Sequence, residues 1–215
     1  MKINEIFCSI NGESRFAGLR TVFVRTFGCN ILCNYCDTLY AVKGNDFKEI
    51  AIYEIVREID KYECKRVTLT GGEPLIQKGA LDLIDALIHK GYTVEVETNG
   101  AVDLANLVGK NYGDRLLITM DWKCPGSGMR DKMIESNLEI LRSDDVVKCV
   151  VSDRVDLDEM KQIYSLTDAT VYTSPVFGRI DPKEIAEYVI NEKLNYVVCQ
   201  LQIHKFIWPA DMRGV

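Results

Sequence analysis

Gly28-Cys29-Asn30-Ile31-Leu32-Cys33-Asn34-Tyr35-Cys36-Asp37-Thr38 sets three thiols at the spacing C-x3-C-x2-C. The run follows a strand-like segment, Thr21-Val22-Phe23-Val24-Arg25-Thr26. Thiolates this close suit an iron–sulfur cluster, whose irons bind sulfur. A closed zinc site takes four ligands, as does a cluster held by protein alone. No fourth cysteine or histidine lies nearby, the next candidate being Cys64. A [4Fe–4S] cluster on three cysteines leaves one iron open to a small molecule, and that open iron is the functional clue. A zinc knuckle or a structural thiol cluster is the plain alternative.

The 215 residues suffice for one well-cored domain spanning 1–215, and no low-complexity linker divides them. Hydrophobic residues make up 47% and charged residues 27%, ordinary for a globular chain. No signal peptide is expected, because the apolar stretch after Met1-Lys2-Ile3-Asn4-Glu5 is soon broken by Asn11-Gly12-Glu13. No apolar run approaches the ~20 residues of a membrane span. The eight cysteines therefore point to a reducing cytoplasm and a metal, not to disulfides. A net charge of −6 without a basic stripe argues against direct contact with nucleic acid.

Strand-like and helix-like segments alternate along the chain. Candidate strands, rich in β-branched residues, cover 21–26, 66–70, 92–97, 116–121, 146–151 and 170–174. Helix-period runs cover 49–62, 80–90, 104–108, 132–142, 158–166 and 182–190. Ile52, Ile55, Val56 and Ile59 give the first of these one apolar face. A last strand-like run, 196–203, extends the sheet or closes its edge. About six β-α units in series predict an α/β fold with a parallel sheet. Six are too few for a complete eight-fold barrel, so an open, partial barrel is expected.

Parallel α/β folds place their chemistry at the carboxyl ends of the strands. Conspicuous polar groups fall there: Arg25, Gly71-Gly72-Glu73-Pro74, Glu97-Thr98-Asn99-Gly100, Asp121-Trp122-Lys123-Cys124-Pro125, Ser152 and Asp153, and His204. Each has a plain reading too. Gly71-Gly72 can be an ordinary turn, Arg25 an ordinary ion pair, Glu13 a loop charge, and Thr38 a turn cap. Cys8, Cys64, Cys149 and Cys199 sit in or near apolar runs and read as core cysteines. Cys124 is open between core and site. His89, late in a helix, reads as solvated or capping.

The cysteine loop resembles the signature of the radical S-adenosylmethionine (SAM) superfamily, and Gly71-Gly72-Glu73-Pro74 resembles its "GGEP" motif. That resemblance implies a [4Fe–4S] cluster on Cys29, Cys33 and Cys36, with SAM on the open iron. It implies a SAM shell of Gly71, Gly72, Glu73, Glu97, Asn99, Asp121, Lys123, Ser152, Gln202 and His204. Within the superfamily, four features are similar to the 7-carboxy-7-deazaguanine synthases: Asn11-Gly12-Glu13-Ser14, Arg25, Cys36-Asp37-Thr38, and the tail from Gln202 to Arg213-Gly214-Val215. The likeness runs from Glu5-Ile6-Phe7 to Val215, with the minimal version of the cysteine loop.

The family resemblance implies conversion of 6-carboxy-5,6,7,8-tetrahydropterin to 7-carboxy-7-deazaguanine with loss of ammonia, SAM being re-formed. It assigns Gly12, Glu13, Arg25, Thr70 and Val215 to the substrate, and Thr38 to a Mg2+ beside the substrate carboxylate. It also implies a flavodoxin or ferredoxin-type reductant and a homodimer. The alternative is an activating enzyme for a glycyl-radical protein, which would need a docking groove for a protein and no carboxylate grip.

Overall fold

The computed structural model describes residues 1–209 and 212–215. The chain opens with β1 (Lys2–Ile10), which turns back antiparallel onto β2 (Arg20–Thr26). A two-residue β3 (Lys48–Glu49) pairs on the far side of β1, also antiparallel. Parallel strands then build outward from β2: β4 (Arg66–Gly71), β5 (Thr93–Thr98), β6 (Leu116–Trp122), β7 (Val146–Val151), β8 (Thr170–Pro175) and β9 (Val198–Cys199). All join one sheet in the order β3-β1-β2-β4-β5-β6-β7-β8-β9. This is the open, mostly parallel α/β barrel that the alternating pattern predicts.

Period-two alternation gives the sheet two faces. Val67, Leu69, Val94, Val96, Ile118, Met120, Val147 and Cys149 are fully buried among the core side chains. Thr68, Thr70, Glu95, Glu97, Thr119, Asp121 and Lys148 occupy the intervening positions. Parallel strands covered on both sides usually read as continuous apolar runs. Here the second face carries polar groups because it lines the hollow of the barrel.

Helices cover the apolar face. They are α1 (Ile52–Asp60), α2 (Ala80–His89), α3 (Ala105–Val108), α4 (Ser136–Ile140), α5 (Arg154–Tyr164) and α6 (Pro182–Asn191), while the short α7 (His204–Ile207) lies on the polar side, where His204 and Lys205 line the cavity. In α1, Ile55, Val56 and Ile59 are buried, and Glu54 accepts the Ala51 N–H at 3.2 Å. Asp153 and Asp181 cap α5 and α6 through the N–H groups of Asp156 and Lys183, and Pro182 occupies the first turn of α6. No helix among the described residues is long and apolar enough to cross a membrane.

Several expected boundaries shift. The expected first strand is the second, because β1 precedes it. The expected strand 196–203 shrinks to Val198–Cys199, bonded only to Tyr172 and Thr173. The run 132–142 yields only α4, and α5 starts four residues earlier than its apolar period suggests, where Asp153 caps it. Cys64 and Cys149 are core residues and Cys8 is half-buried, but Cys199 is exposed on the edge strand. Cys124 is buried, its Sγ 3.9 Å from the Trp122 carbonyl, and belongs to the core. His89 ends α2 with Nδ1 2.6 Å from the Asp85 carbonyl.

Candidate active site

The carboxyl ends of β2 and β4–β7 open into a cavity lined by Cys29, Cys33, Cys36, Gly71, Gly72, Glu97, Asn99, Asp121 and Lys123. Gly12, Glu13, Arg25, Thr38, Thr70, Lys148, Gln202, His204 and Val215 line the same cavity. Most of the residues expected at the site are therefore brought together.

The cysteine loop is pinned by its backbone. The Gly28 N–H donates to the Ala41 carbonyl at 2.7 Å, and the Asn34 N–H to the Ser127 carbonyl at 2.9 Å. The Gly28 carbonyl accepts the Glu73 N–H at 2.8 Å. The contact is so close that a Cβ on Gly72 would lie 2.1 Å from that oxygen, which only glycine avoids. The Gly-Gly-Glu turn thus packs directly against the root of the loop. Burial raises the Cys33 and Cys36 thiols. Among the described residues, no three Cys, His, Asp or Glu side chains are already gathered to hold a metal ion. A cluster bound there would displace the thiol protons.

Glu73, expected with SAM, is held by the chain itself. It is fully buried, and its carboxylate accepts from the Leu75 N–H at 3.0 Å, Thr98 Oγ1 at 2.9 Å and the Asn99 N–H at 2.6 Å. Burial raises its pKa, against the pull of these three bonds. It braces the turn and does not line the cavity. Ser152 does not line it either: its Oγ and its N–H both donate to Asp156 Oδ2 at 2.7 Å, at the start of α5.

Glu13 stands at the other end. Its Oε2 takes the Lys148 ammonium at 2.5 Å, and its Oε1 accepts from the Gln202 amide. Gln202 and His204, expected with SAM, sit beside Glu13 in the same cavity. Gly12 lies against His204, where a Cβ would come within 1.9 Å of Nδ1. Burial lowers the His204 pKa and favours the neutral ring.

Lys148, which sequence reasoning missed, joins two acids. It lies 3.4 Å from Asp121 Oδ1, while Asp121 Oδ2 pairs with Lys123 at 3.1 Å. Burial alone would lower the Lys148 pKa, but Asp121, Glu13 and Glu97 push it well above its ordinary value. Burial would likewise raise Asp121, yet Lys123 and Lys148 bring it down. Glu97 is pushed up to about 7, chiefly by burial and despite Lys148, while Thr70 donates to it at 2.8 Å. One layer below, Glu95 accepts from Thr119 at 2.8 Å and from Asn11 and Thr68 at 3.2 Å, a satisfied polar floor.

Arg25 uses Nε on Glu5 at 2.7 Å, with the Phe7 and Tyr40 ring centres each 5.9 Å from its guanidinium carbon. Among the described residues, Nη1 and Nη2 have no hydrogen-bond partner. At the mouth, Thr38 Oγ1 donates to Asp37 Oδ1 at 2.9 Å, and Lys205 pairs with Asp37 Oδ2 at 2.9 Å. The Lys205 ammonium and the Thr38 hydroxyl hold the Asp37 carboxyl down at about 2. Met212, Gly214 and Val215 close one side of the cavity.

Residues 23–121 match the Radical SAM superfamily. A 7-carboxy-7-deazaguanine synthase of Clostridium acetobutylicum is 44% identical, covering 100% of this chain and 99% of its own length. One from Thermoplasma acidophilum is 38% identical, with 100% of both chains covered. The chain belongs to the 7-carboxy-7-deazaguanine synthase family. The crystal structure of QueE from Escherichia coli has the same fold at 19% identity, with a TM-score of 0.75 over 93% of this chain and 92% of that one. Streptococcus suis SuiB shares the barrel more distantly, at 11% identity and a TM-score of 0.62, covering 83% of this chain and 48% of that one. Membership in the radical SAM superfamily implies a [4Fe–4S] cluster and SAM. The synthase relatives do not favour the activating-enzyme alternative.

Proposed function

We propose that this enzyme converts 6-carboxy-5,6,7,8-tetrahydropterin to 7-carboxy-7-deazaguanine, releasing ammonia, for deazapurine synthesis of the queuosine type. The observation that carries this reading is the shared cavity. It joins a three-thiol loop to an unpaired guanidinium edge on Arg25 and a carboxylate on Glu13.

The residues present fit the two cofactors. Cys29, Cys33 and Cys36 would hold the cluster. Gly72, pressed on the cysteine loop, and Gly71, pressed on Thr26, line the cavity where SAM would bind. Asp121 Oδ1 is buried 3.4 Å from the Lys148 ammonium but without a hydrogen bond among the described residues, and a SAM hydroxyl or ammonium would complete its surroundings. Glu97, Asn99 and Lys123 complete that shell. When bound, the cluster and SAM supply one-electron chemistry that removes a hydrogen atom from the substrate.

The chain itself orients, neutralises and excludes water. The terminal nitrogens of Arg25 form a fork for the substrate carboxylate, steadied by Glu5 on Nε. Glu13 accepts from the N–H edge of the pterin, with Lys148 as its counter-charge. Thr70 and Val215 flank the substrate. Phe7, Phe23, Tyr40 and Phe177 give the cavity apolar walls that limit water. Thr38, donating its proton to Asp37, keeps its lone pairs free and would hold a Mg2+ to neutralise the substrate carboxylate.

The enzyme works as a homodimer, a reading supported by the exposed Tyr196, Phe206 and Ile207. A flavodoxin or ferredoxin-type protein supplies the electron. Eight free cysteines support a reducing, cytoplasmic location. The test is anaerobic turnover of the carboxylated pterin beside its decarboxylated analogue. Only the former should yield product. No product from the carboxylated pterin would remove the assignment, and equal turnover of both would remove the carboxylate grip.

A further inference from the structure

Asn99 follows the last residue of β5, and its side-chain amide has one settled orientation. Oδ1 accepts the Ala101 N–H at 2.9 Å, which turns Nδ2 the other way. Nδ2 then donates to Asn30 Oδ1 at 2.8 Å and to Cys29 Sγ at 3.4 Å. The backbone of Asn99 is held just as firmly, its N–H lying 2.6 Å from the buried Glu73 carboxylate. That carboxylate also binds Thr98 and Leu75. Glu73, Asn99 and Cys29 therefore form a chain from the Gly-Gly-Glu turn to the sulfur.

The loop cysteines are not equivalent in this respect. Among the described residues, Cys29 is the one that receives a side-chain N–H. Cys36 has the Thr38 backbone N–H beside it, and Cys33 has the charge of Lys123 nearby. An N–H pointed at a ligating thiolate draws electron density from sulfur. It stabilises the reduced, more negative cluster, which is one of the ways a protein sets the potential of such a centre.

We propose that Asn99 is a positioning residue for the iron–sulfur cluster, holding Cys29 by an N–H···S bond that raises the cluster's reduction potential. The inference rests on the reading of Cys29, Cys33 and Cys36 as the cluster ligands. It gives Asn99 a role that does not require contact with SAM, and explains why Glu73 is spent on the Asn99 backbone.

The experiment uses the full chain, reconstituted anaerobically with iron and sulfide, without SAM. Iron content and the midpoint potential, followed by electron paramagnetic resonance, are compared for wild type, Asn99→Asp and Asn99→Ala. Asn99→Asp keeps an acceptor for the Ala101 N–H and loses the donor to sulfur. Asn99→Ala loses the donor without adding charge. Both should retain iron and become harder to reduce, by about tenfold in the one-electron equilibrium, or about 59 mV. Unchanged potentials in variants that hold the cluster would overturn the proposal. Loss of iron from both variants would also overturn it, because Asn99 would then serve assembly and not potential. A wild-type protein that binds no cluster would instead remove the underlying reading of the cysteines.

Discussion

Lys148 Nζ lies 2.5 Å from Glu13 Oε2, joining the middle of β7 to the turn after β1 across the barrel. The side chains are 5% and 12% exposed, so removal of either partner leaves a charge in a poorly solvated place. Lys148→Met should lower stability by about 3 kcal/mol in chemical denaturation. It should also weaken pterin binding while iron content stays normal. The double variant Glu13→Gln/Lys148→Met should recover part of the stability, because the stranded charge is gone. Additive losses would show that the two groups are not coupled.

Arg25 offers a different test, since Glu5 already satisfies Nε and the terminal nitrogens face the cavity. Arg25→Ala should weaken binding of the carboxylated pterin by about 2–5 kcal/mol, with SAM affinity and iron content retained. Arg25→Lys should rescue poorly, because an ammonium lacks the planar fork. Isothermal titration with each ligand measures both. Unchanged pterin affinity in Arg25→Ala would place the substrate carboxylate elsewhere.

Thr38 donates to Asp37, and Asp37 is occupied by Lys205, so the hydroxyl is the better-placed oxygen for a weakly held Mg2+. Turnover should rise with added Mg2+. Thr38→Ala should blunt that response and Thr38→Ser should keep it. Loss of the response in Asp37→Asn but not in Thr38→Ala would transfer the metal to Asp37.

Glu97, pushed up to about 7 mainly by burial, makes stability depend on pH. Between its ordinary value of 4.5 and about 7, the native state holds a proton that the unfolded chain has lost. This contribution is full below the lower value and is lost as pH rises through the upper one. Denaturation at about pH 5 and about pH 8 should show the decline, and Glu97→Gln should flatten it. A slope unchanged in the variant would assign the effect to other groups.

Much of this was legible before the structure. The β-branched runs mark the parallel strands, and their polar ends mark the mouth of the cavity. β1 is hard to read because its register shifts between Ile3 and Glu5, breaking the alternation that betrays a strand. β9 shrinks because it is an edge strand bonded on one side only. A lone lysine inside Val146-Val147-Lys148-Cys149-Val150-Val151 is a visible anomaly for a buried strand. Its partner, 135 residues away, is set by barrel closure and not by any local pattern. The surroundings of Glu73 are hidden for a similar reason: its motif suggests a ligand, and nothing local shows that its carboxylate is buried on Thr98 and Asn99.

The most direct test of the whole account is the product of anaerobic turnover by the reconstituted enzyme with 6-carboxy-5,6,7,8-tetrahydropterin, SAM and a reductant. Mass spectrometry should find 7-carboxy-7-deazaguanine and an equal amount of ammonia, both absent with Cys33→Ala. An enzyme with an intact cluster and bound SAM that leaves the pterin unchanged would contradict it.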